Sequence, residues 1–177
     1  KTEVEEYMDL LRRAISTQIL VNERIQILYA SMGYEIIDKS LYDKDLLRNA
    51  KLALGVAKQQ KNTYAQYTSI LASKIERELL LEKDLRNSLD KQELELYYQP
   101  IFNVQSGMVD QAEALLRWNH PKLGVISPIE FIPIAEKTKL IIPITDWVIH
   151  ETCSKLASWD ESKFGLLSIS INLSFIT

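Results

Sequence analysis

The feature that most constrains the fold is a change in the spacing of apolar residues near Lys91. Over 68–90, leucine and isoleucine recur every four residues, and no glycine or proline interrupts them. Over 93–102, apolar and polar residues alternate instead. The first spacing is typical of a helix and the second of a strand. We therefore expect a stiff connecting helix over 68–90 between two parts of the chain, 1–67 and 91–177.

The first part mixes helical and extended patterns. Apolar residues at helical spacing predict a helix over residues 1–15, with no capping residue before it, so that the chain would begin inside a domain. Residues 24–30 are predicted to form a strand. A later helix, capped by Ser40 or Asp43, carries a stripe of small residues that implies close packing on a sheet. The stripe consists of Leu46, Ala50, Ala53 and Ala57.

The second part begins with two predicted strands, 93–102 and 108–118. SPIE, residues 127–130, is a helix-start signature: a serine cap, a proline at the first position and a glutamate three residues after the cap. A further helix over 144–159 and the strand GLLSISINLS give a strand–helix–strand order, which is typical of a parallel crossover. Within that helix, Cys153 is expected to be a packing residue. The residues expected to face the core are Trp147, Val148 and Leu156.

The composition excludes several classes of function. The net charge of −3 argues against binding to a nucleic acid duplex or a membrane surface, because those partners favour a basic excess. The single cysteine excludes an internal disulfide and indicates a reducing compartment. No signal peptide or run of transmembrane length is present. We expect a cytoplasmic protein, or the cytoplasmic portion of one anchored through regions outside this chain.

The strand QAEALLRW, residues 111–118, carries charges that need partners. Gln111, Glu113, Leu115 and Arg117 share one face, because side chains alternate along a strand. Glu113 and Arg117 are roughly 13 Å apart at the rise of a strand, so they cannot neutralise each other. A covered carboxylate suits a hard cation such as Mg²⁺, and an arginine suits a phosphate. A phosphodiester beside a metal would use both, but a solvated edge strand explains the pattern equally well.

The motif EALLRW resembles the signature of the EAL domain, a bacterial phosphodiesterase that opens cyclic di-GMP. The resemblance extends over residues 86–177. ELELYYQPIF is similar to the family's first strand, and ISINLS is similar to the strand with its metal-binding asparagine. The segment between them, from Arg117 to Leu156, is similar almost residue for residue. The resemblance implies an α/β fold, part of a TIM-like (β/α) barrel whose first strand runs antiparallel to the others.

The same resemblance implies a site and a reaction. Glu113 and Asn172 would be ligands of Mg²⁺ or Mn²⁺, and the metal would assist hydrolysis of cyclic di-GMP to linear pGpG. The family's later acidic ligands and its lysine would lie beyond Thr177, so this chain alone is expected to be inactive. The substrate-binding residues would be Gln99, Leu115 and Arg117, with Arg117 on a phosphate.

Residues 1–67 resemble the C-terminal part of a GGDEF domain, the diguanylate cyclase fold. The similar segments are ILYASMGYEI and DLLRNAKLALGVAKQQKNTY. The GGDEF signature is absent, and Gln60, Lys61 and Asn62 replace the family's Gly-Arg-Asn ending. We therefore expect a degenerate, cyclase-like α/β scaffold joined by the long helix to the EAL-type barrel.

Three functions remain open on the sequence. The protein could be an active phosphodiesterase, a catalytically inactive receptor for cyclic di-GMP, or a module for protein interaction, with a homodimer among its possible assemblies. Glu113 and Asn172 favour the enzyme, because a pure scaffold has no need of a carboxylate on this strand.

Overall fold

A computed structural model describes residues 2–37, 45–159 and 168–175 of the protein. The chain divides into two compact units, Lys1–Glu76 and Arg77–Thr177. The helices in the described ranges are α1 (Glu3–Ile15), α2 (Leu46–Gln60), α3 (Ser69–Leu85), α4 (Pro128–Thr138) and α5 (Ile141–Ser158). The strands there are β1 (Gln18–Val21), β2 (Arg24–Ile27), β3 (Met32–Tyr34), β4 (Tyr64–Gln66), β5 (Leu94–Asn103), β6 (Met108–His120), β7 (Gly124–Ile126) and β8 (Ser168–Ile171). None of these helices has the length and apolar character needed to cross a membrane.

The first unit contains two small sheets. β1 and β2 pair in antiparallel fashion, whereas β3 and β4 pair in parallel with α2 between them in sequence. The strand predicted over 24–30 is confirmed only as far as Ile27. The sequence pattern did not predict β1 or β4, and the short extended run that it indicated after Gly33, through Ile36 and Ile37, lies later in the chain than β3.

Helix α1 is capped, contrary to the expectation from the sequence. Oγ1 of Thr2 accepts a hydrogen bond from the backbone N–H of Glu5, and a carboxylate oxygen of Glu5 accepts from the backbone N–H of Thr2 at 3.0 Å. This reciprocal pair is a capping box, and its signal was present as a threonine followed three residues later by a glutamate.

The alanine stripe of α2 packs closely on β3, as predicted. Ala53 and Ala57 are fully buried. A Cβ added to Gly33 would lie closer than any real contact to the carbonyl oxygen of Ala50 and the amide nitrogen of Leu54. The helix can approach the strand this closely only because small residues line both sides.

The sequence predicts Ser40 or Asp43 as the cap of α2. Ser40 and Asp43 lie outside the described residues, and the residue at the N-cap position is Asp45.

We expect Gly33→Ala to destabilise the first unit by about 2–3 kcal/mol, because the added methyl group must push α2 away from β3. Gly55→Ala, in α2, is the control, because a new Cβ there meets nothing within 4 Å. That change should leave stability unchanged or raise it, since alanine is the better helix former. Chemical denaturation followed by circular dichroism compares them, and equal stability of both variants would contradict the close approach.

The connecting helix is shorter than predicted. α3 ends at Leu85 rather than at residue 90, and residues 86–92 form turns in which Gln92 has a φ of 55°. The leucine repeat nevertheless continues, because Leu89 packs on the same core as Leu81 and Leu85. The leucine repeat therefore indicated which residues are buried, but not where the helix ends. A turn can keep the same spacing of buried residues for a few positions after the helix has ended.

The second unit is built around β6. β5 pairs with it in antiparallel fashion, β8 pairs in parallel with residues 111–114, and β7 pairs in antiparallel fashion with residues 118–120. The antiparallel first strand and the parallel crossover from β6 to β8 are as predicted. The short strand β7 is not among the strands that the sequence predicts. The largest fully buried apolar side chains of the core are Leu81, Trp118, Ile126 and Phe131.

Helix α4 begins where SPIE predicted, with Ser127 at the cap and Pro128 in the first turn. Glu130 does not complete a capping box, however, because its carboxylate forms a bidentate ion pair with the guanidinium of Arg77 on α3. The pairing with a distant arginine could not be read from the local motif.

Helix α5 begins at Ile141, three residues earlier than predicted. Val148 is buried and Trp147 packs against the core, as expected. The inward assignment of Cys153 and Leu156 is wrong, since both are exposed. The buried stripe of the helix passes through Thr152 instead, so Cys153 lies about 100° away from it around the helix axis.

Candidate functional site

One face of the sheet in the second unit carries the predicted site residues. Gln99 of β5 pairs with Glu113 of β6, and Ser170 of β8 pairs with Glu113 from the other side, so the three form one row. Leu115 and Arg117 follow on the same face. The alternation predicted from the sequence is thus confirmed. On the opposite face of β6, Ala112, Ala114, Trp118 and His120 are buried and the half-buried Leu116 packs against the core.

The parallel pairing of β8 with β6 brings Asn172 to Glu113. Asn172 directly follows β8, and its Nδ2 donates a hydrogen bond of 2.6 Å to Oε1 of Glu113, 59 positions earlier in the chain. The sequence left this residue ambiguous, because its neighbours on the same face are serines, which also suit a wet edge. The register settles that Asn172 lies on the same side of the sheet as Glu113.

The pair Glu113–Asn172 has the donor chemistry that a hard cation requires. Mg²⁺ and Mn²⁺ favour carboxylate and amide oxygens, and Mg²⁺ commonly takes only one or two carboxylates while keeping several waters. Within the described ranges, no group of three or more histidine, cysteine or acidic residues could hold a metal ion. The oxygens of Glu113 and Asn172 could therefore supply only part of the ligand set of a divalent cation.

Arg117 lies on the same face, nearer the carboxyl end of β6. Its Nη1 donates to the carbonyl oxygen of Leu116 at 3.0 Å, and its guanidinium carbon is 5.7 Å from the centroid of the Tyr97 ring. No ion pair joins Arg117 to a carboxylate among the residues that the structure describes. A half-buried guanidinium with remaining donors is suited to an anion such as a phosphate.

A cavity of about 250 Å³ opens at the carboxyl ends of β6 and β8, between the sheet and helices α4 and α5, and residues from both faces of β6 line it. Leu115, Arg117 and Asn172 line it, whereas Gln99 and Glu113 do not. Glu136 and Ser174 also line it, and Oγ of Ser174 donates to Oε1 of Glu136 at 2.7 Å. This bond anchors the segment that follows Asn172.

His120 lies on the buried face and links the turn that follows it to α3. Its Nδ1 accepts the backbone N–H groups of Lys122 at 3.1 Å and Leu123 at 3.2 Å, and its Nε2 is 3.0 Å from Oδ2 of Asp84. Because Nδ1 accepts two hydrogen bonds, the proton is on Nε2 and is donated to Asp84. That hydrogen bond holds the pKa of the Asp84 carboxyl below its ordinary value.

We expect Asp84→Asn to lower the stability of the second unit by about 1 kcal/mol at pH 7, since Asp84 remains partly in contact with solvent. A carboxyl whose pKa is lowered by folding stabilises the protein above its ordinary pKa, and this stabilisation is lost as the pH falls through the folded value. The difference from the unsubstituted protein should therefore shrink below about pH 4. Denaturant titrations at stepped pH measure it, with Asp90→Asn, an exposed carboxylate of the following turn, as control. A loss that did not vary with pH would contradict the pairing.

Several known proteins are similar to this chain. The family model of the EAL domain matches residues 82–176. The chain is 39% identical over 131 residues to the bifunctional diguanylate cyclase/cyclic di-GMP phosphodiesterase MucR of Pseudomonas aeruginosa, covering 73% of this chain and 19% of MucR. It is 36% identical over 169 residues to the cyclic di-GMP phosphodiesterase NbdA of the same organism, covering 92% of this chain and 21% of NbdA. The chain thus spans about a fifth of the length of these curated relatives.

A solved structure is similar as well. The PaMucR phosphodiesterase in complex with c-di-GMP superimposes with a TM-score of 0.51 at 42% sequence identity, covering 54% of this chain and 38% of that chain. The sequence comparison and the structural comparison therefore both match this chain to phosphodiesterases.

Proposed function

Because the chain belongs to the EAL-domain family, we propose that the full-length protein acts in bacterial second-messenger signalling by hydrolysing cyclic di-GMP to linear pGpG. The observation that carries this proposal is the hydrogen bond between Asn172 and Glu113, two residues far apart in sequence. Their meeting on the face that also carries Gln99 and Arg117 favours a site that combines a cation with a phosphodiester.

In this proposal, Glu113 and Asn172 are two of the ligands of Mg²⁺ or Mn²⁺. Glu113 contributes the charge and Asn172 a neutral oxygen, and the hydrogen bond between their side chains keeps both on the same face. The cation, when bound, would supply an activated water and neutralise charge on the phosphate.

The dinucleotide would be held by residues of β5 and β6. Arg117 would bind a phosphate through the guanidinium donors that the carbonyl of Leu116 does not use. Gln99 offers both a donor and an acceptor beside Glu113, and Leu115 offers an apolar wall at the cavity. Together these groups would orient the scissile bond relative to Glu113.

The remaining assignments follow from the same proposal. We assign 1–67 to the C-terminal part of a degenerate GGDEF-like domain, 68–90 to the connecting segment, and 91–177 to the N-terminal part of a TIM-like EAL barrel. The parallel pairs β3–β4 and β6–β8 support an α/β class for both parts. We place this portion in the cytoplasm, because a reducing compartment keeps a free cysteine such as the exposed Cys153 from forming disulfides. A homodimer is the assembly that we propose for it.

The test is an assay of the full-length protein with cyclic di-GMP and Mn²⁺, in which linear product is followed by chromatography. Turnover that a chelator abolishes and Mn²⁺ restores would support the enzyme. Binding of the dinucleotide without turnover would overturn hydrolysis in favour of the receptor function, which needs only Gln99, Leu115 and Arg117. Absence of both binding and turnover would leave the protein-interaction module.

A further inference from the structure

Tyr97 is an exposed aromatic residue on the site face, and neither the core nor the proposed ligand contacts account for it. It belongs to β5, where its partner across the sheet is Leu115, between the row of Gln99 and that of Arg117. Its side chain is 53% exposed, so it is not held there by the core. Burial of the hydrophobic core is therefore not the reason for an aromatic ring at this position.

The ring of Tyr97 contacts the guanidinium of Arg117. The distance of 5.7 Å from the guanidinium carbon to the ring centroid is within the range at which the face of an aromatic ring attracts a cation. The two residues are diagonal neighbours on adjacent strands, a spacing that aromatic and long side chains can bridge.

A different partner for Arg117 was available and is not used. Glu95 lies directly opposite Arg117 in the register of β5 and β6. Within the described part of the chain, the ion pairs do not include one between them. An ion pair would neutralise the arginine and occupy its donors, whereas a ring restrains the guanidinium from one side and leaves both the charge and the N–H groups for another ligand.

We propose that Tyr97 is a positioning residue that holds the guanidinium of Arg117 on the site face, ready for a phosphate of the ligand. This inference rests on the proposed function, in which Arg117 binds a phosphate of cyclic di-GMP. Restraining a long side chain before the ligand arrives removes part of the entropy cost of binding. The ring therefore raises affinity through Arg117, without itself touching the phosphate.

A double-mutant cycle on the full-length protein tests this, with the dissociation constant for cyclic di-GMP measured by calorimetry. Tyr97→Leu should raise the dissociation constant roughly two- to ten-fold, and Tyr97→Phe, which keeps the ring, should leave it unchanged. In the background of Arg117→Ala, Tyr97→Leu should have no further effect, because the residue it positions is gone. Phe102→Leu, another exposed aromatic of β5 near its far end, is the matched control and should not change affinity.

An effect of Tyr97→Leu that persisted in the Arg117→Ala background would overturn the inference, since Tyr97 would then act on the ligand directly. A second arm needs no ligand: a crystal structure of the unliganded Tyr97→Leu protein should show the Arg117 side chain displaced or disordered. An unmoved guanidinium would overturn the inference as well. This arm still decides the role of Tyr97 if the unsubstituted protein fails to bind cyclic di-GMP, a result that would instead contradict the proposed function.

Discussion

In the full-length protein, Glu113→Gln is expected to reduce hydrolysis of cyclic di-GMP by at least about a hundred-fold. Loss of residues that merely support metal ligands commonly costs 10- to 100-fold, so loss of a charged ligand should cost no less. The fold should survive, because the amide oxygen of glutamine can still accept the hydrogen bond from Nδ2 of Asn172. Product formation at saturating substrate with Mn²⁺, followed by chromatography, measures the effect.

The control for this experiment is Glu151→Gln, which removes an exposed carboxylate of α5 away from the site face. It should retain the activity of the unsubstituted protein. A second readout is the Mn²⁺ concentration that gives half-maximal activity, which should rise for any activity that remains in Glu113→Gln. Full activity with an unchanged requirement for Mn²⁺ would exclude Glu113 as a metal ligand.

Arg117→Ala is expected to weaken the binding of cyclic di-GMP by about 1.5–3 kcal/mol, the contribution of a hydrogen bond to a charged group. This corresponds to a rise in the dissociation constant of roughly ten- to 150-fold. Arg117→Lys should recover only part of the loss, because lysine keeps the charge but not the planar fork of donors. Calorimetry on the full-length protein without turnover, in the presence of a chelator, isolates binding from chemistry.

Arg86→Ala provides the comparison for Arg117→Ala. Arg86 is an exposed arginine that pairs with Glu82, so its removal changes the net charge equally but not the site face. Unaltered affinity in Arg117→Ala with an intact circular dichroism spectrum would mean that Arg117 does not bind the ligand. Equal losses in the two variants would instead indicate a general effect of positive charge on an anionic ligand.

Local sequence patterns predicted much of the secondary structure and the polarity of the central strand. The period of apolar residues located α1, α3, β5 and β6, and the proline after Ser127 located the start of α4. Alternation along β6 was by itself sufficient to place Glu113, Leu115 and Arg117 on one face. These features depend on neighbouring residues, whose geometry is set by a helix or strand whatever surrounds it.

Other features depended on contacts between residues far apart in sequence. The end of α3 at Leu85, the exposure of Cys153 and the pairing of Glu130 with Arg77 could not be read from their local patterns. Short strands such as β7 exist because β6 offers a partner, since their own three residues specify no period.

The sequence by itself determined that a carboxylate and an arginine share one strand face and that each needs a partner. It did not determine that Tyr97 stacks on Arg117, and it implied that Asn172 meets Glu113 only through the family resemblance. Both depend on the register between strands, which is set by the joint packing of the buried face against α4 and α5. A slip of β5 or β8 by one residue would have moved Tyr97 or Asn172 to the side of the sheet opposite Arg117 and Glu113. Only the tertiary structure selects the register.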